Sequence, residues 1–386
     1  MTTVTRPRTK CAFALTPILV VGVVAFGLGG FSGSSVAQPD GSFSAKLRAQ
    51  LLAKMKETAT PGALVYVDGP GIKSLTFKLG VADLQTGFPM EAEDQMRIGS
   101  VTKTLTAVTI LRFVDQRRLS LDDPVSKYEP EVPNGSNITI RELLNMTSGL
   151  FDYQEDPAFV KAGSDEPDSA FDPKDLLKIA LAHPPYFMPG AGFHYSNTNT
   201  VLLGLTIQMI GGQTVADAYQ QQLFGPLGLR GSSMPERQSG AIPGVHPRGY
   251  YYSSEALYAA RGTPADVTTW NPSWGWTAGA VISTLDDMAV WAKALGTGQL
   301  LSPGTFAQQQ QFVKVPGSTA EYGLGMFKVD GYLGHNGSIP GFTSFVGYDP
   351  VHHRTVVVLT NLALSTGLSP ADQLAQIARD ALATAP

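Results

Sequence analysis

Three short stretches of this 386-residue chain carry side chains able to do covalent chemistry. The first is Ser100-Val101-Thr102-Lys103, directly after Gly99. A serine in the first turn of a helix sits at the positive end of the helix dipole, and a lysine three positions on lies on the same face one turn away. Hydroxyl and amine can therefore meet. Such an amine becomes a base only when neutral, which requires desolvation or neighbouring cations to bring it well below its reference value of about 10.4. Read alone, the tetrapeptide is a weak signal, since a serine at a helix start is most often just an N-cap. The second stretch, Tyr195-Ser196-Asn197, follows the loop Met188-Pro189-Gly190-Ala191-Gly192 and precedes a helical period. Its phenol can relay a proton and its amide can orient a lysine and a substrate carbonyl, although a buried tyrosine with a bonded tip and a helix-capping asparagine read the same way. The third, Gly334-His335-Asn336-Gly337-Ser338, precedes a hairpin; a glycine there lets a substrate backbone approach a strand without collision, and a Gly-rich turn with a structural histidine is the plain alternative. The chain has no G-x-S-x-G, H-E-x-x-H or G-x-x-x-x-G-K-[ST] signature and its six histidines are scattered, so neither a metal nor a cofactor is expected.

The elements that must position these groups are legible as periodicities. Leu47, Leu51 and Met55 recur at helical spacing within Phe43 to Met55, and the runs Ala63 to Val67 and Ser74 to Leu79 form a hairpin across Asp68-Gly69-Pro70-Gly71. Helical periods follow at Thr102 to Arg117, Ile140 to Asn145, Pro173 to Ala182, Asn199 to Ile210 and Val215 to Leu223. A second hairpin joins Gly341 to Tyr348 with Thr355 to Thr360 through a Pro-bearing turn, and Ser369-Pro370 starts a final helix to about Leu382. Strands at both ends around a helical middle predict an α/β (α+β) fold. Its antiparallel sheet is built from both chain ends and flanked by helices: residues 42–112 and 275–386 form the sheet domain, and 113–274 a mainly helical insertion.

Arg6, Arg8 and Lys10 precede an apolar run from Ala12 to Leu28, and Ser34, Ser35, Val36 and Ala37 suit small-x-small cleavage, so residues 1–37 read as a signal peptide of a secreted or periplasmic protein. An uncleaved membrane tether is the alternative, because the apolar stretch is about as long as a span requires. The single cysteine, Cys11, lies ahead of that run, leaving a thiol-free mature chain without disulfides. A formal charge of −4, falling to −7 once the three leader cations are removed, excludes a nucleic-acid partner held by bulk electrostatics. With 43% hydrophobic and 16% charged residues there is ample material for a large core.

Taken together and in this order, the three motifs resemble the serine β-lactamase and penicillin-binding protein superfamily, in its branch of class C β-lactamases, S12-type D-Ala-D-Ala carboxypeptidases, D-aminopeptidases and esterases. The second motif is Y-x-N and the third H-x-G, as in that branch. Leu143 to Leu150 (LLNMTSGL), Tyr195 to Gly204, Pro226-Leu227-Gly228-Leu229 and Gly279 to Met288 extend the likeness over residues 45 to 385. The resemblance implies a β-lactamase/transpeptidase-like fold and an acyl-enzyme on Ser100, with Lys103 and Tyr195 moving the proton. It assigns substrate binding to Asn197, His335, Asn336, Gly337 and Ser338, and the oxyanion hole to the backbone N–H groups of Ser100 and Ser338, a device worth about 10²–10³ in rate per donor. The expected substrate is a small or peptidoglycan-derived amide or ester, most simply as a D-alanyl-D-alanine carboxypeptidase. A carboxylesterase, a weak β-lactamase or a non-catalytic envelope binder are the alternatives. His335 replaces the permanent cation of K-T-G members and is largely neutral at pH 7, while Asn336 removes their hydroxyl; both departures weaken a β-lactamase reading. Two loops are candidates to shape the pocket: the acidic stretch Gln154 to Asp175, and Tyr250 to Trp276, rich in aromatics.

Overall fold

The computed structural model describes residues 40–385, so the leader expected over 1–37 lies outside the described residues. Its centre is an antiparallel eight-stranded sheet. The strand order is Ile72–Gly80, Gly62–Gly69, Arg354–Thr360, Phe342–Asp349, Tyr332–Ile339, Phe327–Val329, Glu321–Tyr322, Val313–Lys314. The two ends of the chain meet in the middle of it, where Leu64 faces Leu359 and Val65 faces Val358. The run Val356-Val357-Val358-Leu359 is apolar at every position because both faces are covered. Val356 and Val358 pack with Leu47, Leu51, Leu374 and Leu382 of the helices Asp40–Glu57 and Pro370–Ala383, whereas Val357 and Leu359 belong to the larger core on the opposite face.

That larger core is shared with the helices Thr102–Asp115, Asn197–Gly211 and Leu285–Thr297. Trp291 is fully buried there, and its indole N–H donates to Thr104 Oγ1 at 2.8 Å, tying the helix against the sheet to the helix that follows Ser100. The closing helix starts as its sequence predicts: Ser369 accepts from the Asp372 N–H and Pro370 occupies the first turn.

Two segments differ from the sequence expectation. Residues 334–338 do not precede the hairpin and are not the Gly-rich turn of the plain alternative; they lie inside the strand Tyr332–Ile339, which pairs with Phe342–Asp349. Gly334 and Gly337 interrupt its alternation, which is why the sequence pattern hides it. Tyr250–Tyr252 is likewise a buried strand, in a three-stranded sheet with Leu362–Leu364 and Ala265–Asp266. These tyrosines are buried as part of the core.

Candidate active site

Ser100 lies in a single 3-10 turn, Gly99–Val101, that runs into the helix Thr102–Asp115. No side chain caps either element, so the Ser100 hydroxyl is not spent as an N-cap. Gly99 is required here on two counts. Its φ is +51°, and a Cβ on it would come within 2.7 Å of the Ser338 backbone nitrogen. The turn carrying Ser100 thus rests directly on the strand that carries His335, and the Ser344 hydroxyl fastens the contact by donating to the Ile98 carbonyl at 2.7 Å.

One helical turn on, Lys103 is 1% exposed, and its Nζ lies 3.0 Å from Ser100 Oγ and donates to the Ala278 carbonyl at 2.8 Å. The ring of Tyr195 lies beneath it, with Nζ 4.8 Å from the centroid. Burial lowers the amine from its ordinary value to about 7, and the charge of Asp152 opposes that fall only in part. A neutral amine held this way spends one hydrogen on the carbonyl and turns its lone pair to the serine hydroxyl. Tyr195 cannot share that role as a phenolate, because burial raises its pKa far above that of a free phenol, the Ser100 hydroxyl beside it lowering it only in part. Its buried Oη has the Ser100 hydroxyl beside it and no other hydrogen-bond partner among the described residues, so the phenol stays protonated next to the nucleophile.

His335 is 2% exposed and walled in by Tyr195, Tyr322 and Phe327, with ring centroids 6.0, 5.9 and 4.8 Å away. Burial first, and the Lys103 charge second, push it down to about 3, so it is uncharged. Its Nδ1 lies 2.5 Å from the Asn336 carbonyl. A carbonyl only accepts, so Nδ1 carries the proton and Nε2 presents a lone pair, 3.4 Å from the Tyr322 hydroxyl. The donor that a neutral imidazole could offer to a substrate is therefore already engaged.

The structure brings Ser100, Lys103, Tyr195, His335 and the backbone at Gly337 and Ser338 together. Asn336 is the exception and corrects the sequence expectation. Strand alternation turns its side chain to the far face, where Nδ2 donates to Asp372 Oδ2 at 2.7 Å. Asn197 is adjacent, yet its Nδ2 donates at 2.9 Å to Asp152, a residue the sequence reading did not single out although it directly follows the LLNMTSGL stretch and Phe151. The acidic stretch after it packs on its own aromatics, Tyr153 against Phe159 and Phe159 against Phe171, each with centroids 5.3 Å apart.

Comparison with known proteins places the chain in a family. The Beta-lactamase family model matches residues 47–379. The chain is 27% identical over 315 residues to the putative penicillin-binding protein PbpX of Bacillus subtilis, covering 80% of this chain and 72% of that protein. It is 33% identical over 213 residues to the esterase EstB of Burkholderia gladioli, covering 51% of this chain and 54% of that one. Among solved structures, a D-stereospecific amidohydrolase from Streptomyces sp. superposes with a TM-score of 0.74 at 30% identity, covering 86% of this chain and 97% of that one.

Proposed function

The chain belongs to the beta-lactamase family, and on that premise we propose that it is an exported serine hydrolase that cleaves uncharged esters or amides through an acyl-enzyme on Ser100. The observation that carries this reading is the 3.0 Å approach of Lys103 Nζ to Ser100 Oγ by an amine that burial brings to about 7. In the first step neutral Lys103 takes the Oγ proton as Oγ bonds to the substrate carbonyl carbon, and the carbonyl π pair moves onto oxygen. The backbone N–H groups of Ser100 and Ser338 receive that oxyanion. Collapse expels the leaving group, which takes back a proton from Lys103 directly or through the Tyr195 hydroxyl. Water then repeats the sequence on the ester and restores Ser100.

The preference for uncharged substrates follows from His335. A β-lactam or a peptide C-terminus brings a carboxylate, and at this position it meets a neutral imidazole whose one proton is held by the Asn336 carbonyl. A D-alanyl-D-alanine carboxypeptidase is the second reading, favoured by the likeness to a putative penicillin-binding protein over 80% of this chain and 72% of that one.

Intact-protein mass spectrometry after exposure to p-nitrophenyl acetate, a D-Ala-D-Ala peptide and penicillin tests both. The expected result is an acetyl adduct, absent in Ser100→Ala, with weaker labelling by penicillin. Failure of every probe and of a fluorophosphonate to modify the folded protein refutes the hydrolase reading. Export is tested by N-terminal sequencing of the protein recovered outside the cytoplasm, with a start at Gln38 expected.

A further inference from the structure

We propose that Asp152 is a positioning residue for the Ser100–Lys103 pair, fixing the Asn197 amide and supplying the negative charge that the Lys103 amine faces. The inference rests on Lys103 as the base. Asp152 is 5% exposed, and both of its carboxylate oxygens are engaged: Oδ1 accepts from the Gln154 N–H at 3.1 Å and Oδ2 from Asn197 Nδ2 at 2.9 Å. Its own N–H donates to the Tyr186 hydroxyl at 3.1 Å, and that hydroxyl donates to Glu155 Oε2 at 2.8 Å, so backbone and side chain are both held.

Capping a three-residue turn does not require this burial, since cap residues do the same at a surface. A buried carboxylate whose only hydrogen bonds come from neutral amides keeps its charge uncompensated, at a cost that an opposite charge nearby offsets. Lys103, in its protonated form, is the positive charge that acts on Asp152. The groups facing the pair can be named on every side. Ser100, Tyr195, His335 and Asp152 surround Lys103, and Tyr153, Tyr186, Tyr195 and Lys103 surround Asp152, with Glu155 beyond Tyr186. The tyrosines and His335 are uncharged at neutral pH, and Glu155 is bonded to Tyr186 and His194. Asp152 alone among them stands against the loss of the lysine proton, which keeps the amine basic enough to accept the serine proton instead of becoming a still weaker base.

Asp152→Asn keeps the shape and removes the charge. Because an opposite charge close by holds a lysine up by about one pH unit or more, the acid limb of kcat/KM for p-nitrophenyl acetate is expected to move at least that far to lower pH. At the plateau kcat falls about tenfold, within what general-base contributions allow, while KM stays within a few-fold. The same downward movement is expected in the ¹⁵N titration of the Lys103 amine in a Ser100→Ala background. That measurement needs no turnover, so it separates failure of this inference from failure of the hydrolase reading. A folded Asp152→Asn protein whose acid limb and Lys103 titration are unmoved overturns the proposal. Should that variant not fold, the Asp152 carboxyl carbon is followed by NMR in Lys103→Met, where loss of the cation must raise its midpoint relative to wild type; an unchanged midpoint overturns the proposal equally.

Discussion

Acidifying the protein below pH 7 is expected to remove its catalytic base. With the Lys103 amine at about 7, roughly half the molecules hold it neutral at pH 7, about one in ten at pH 6 and about one in a hundred at pH 5. An ordinary lysine near 10.4 is neutral in only about one molecule in 2,500 at pH 7, so burial against Ala278 and Tyr195 raises the supply of base about a thousandfold. For a neutral acetate ester, kcat/KM should therefore fall by up to about fiftyfold between pH 7 and pH 5. The slope should soften below about pH 6, where Asp152 takes up a proton and no longer opposes loss of the lysine charge. Initial rates from pH 5 to 9, with circular dichroism at each point to hold the fold constant, give the profile. Lys103→Arg keeps the positive charge but cannot shed it, and should cost about 10²–10⁴ in kcat/KM at every pH. A profile flat to pH 5, or an arginine variant that keeps its activity, refutes the assignment of the base.

Two further outcomes follow from the same geometry. Gly99→Ala forces a Cβ to within 2.7 Å of the Ser338 nitrogen at a φ of +51°, and should cost about 1–3 kcal/mol in urea unfolding and slow acylation by displacing the Ser100 turn from its strand; wild-type stability and rate together would contradict the close approach. His335, pushed down to about 3 by burial and Lys103, should show ring resonances constant from pH 5 to 8 with the proton on Nδ1, and a midpoint near 6.5 would contradict its burial.

How much of this could be read from the chain depends on the distance over which each feature is encoded. Ser100 and Lys103 meet because helical spacing brings i and i+3 together, and the hairpin Phe342–Asp349 with Arg354–Thr360 follows from its alternation and its turn. The strand Tyr332–Ile339 was hidden because two glycines replace the side chains that would mark its faces, so the direction of Asn336 was undefined until its register against Phe345 was known. Phe345 packs under the closing helix, and Asn336 beside it reaches Asp372 of that same helix. Asp152 was invisible for a different reason. Its partner Asn197 is 45 residues away, and only packing of the 3-10 turn Tyr153–Glu155, which Asp152 caps, against the start of the helix Asn197–Gly211 joins them.

The placement of charge accounts for the proposed substrate preference from a second direction. Lys103 is lowered chiefly by burial and not by a neighbouring cation, since His335 beside it is neutral. A substrate carboxylate entering the site would therefore add a negative charge to the field already set by Asp152, and with nothing at position 335 to balance it the lysine would regain proton affinity. The base would be blunted by the ligand it is meant to activate against. An uncharged ester or amide leaves that field as it is, so binding and base strength do not oppose one another. A permanent cation at position 335 reverses the argument, because it would both hold the carboxylate and restore the neutral amine. His335→Lys is thus expected to lower KM for penicillin relative to p-nitrophenyl acetate, and an unchanged ratio of the two in a folded variant would show that some other group governs the choice.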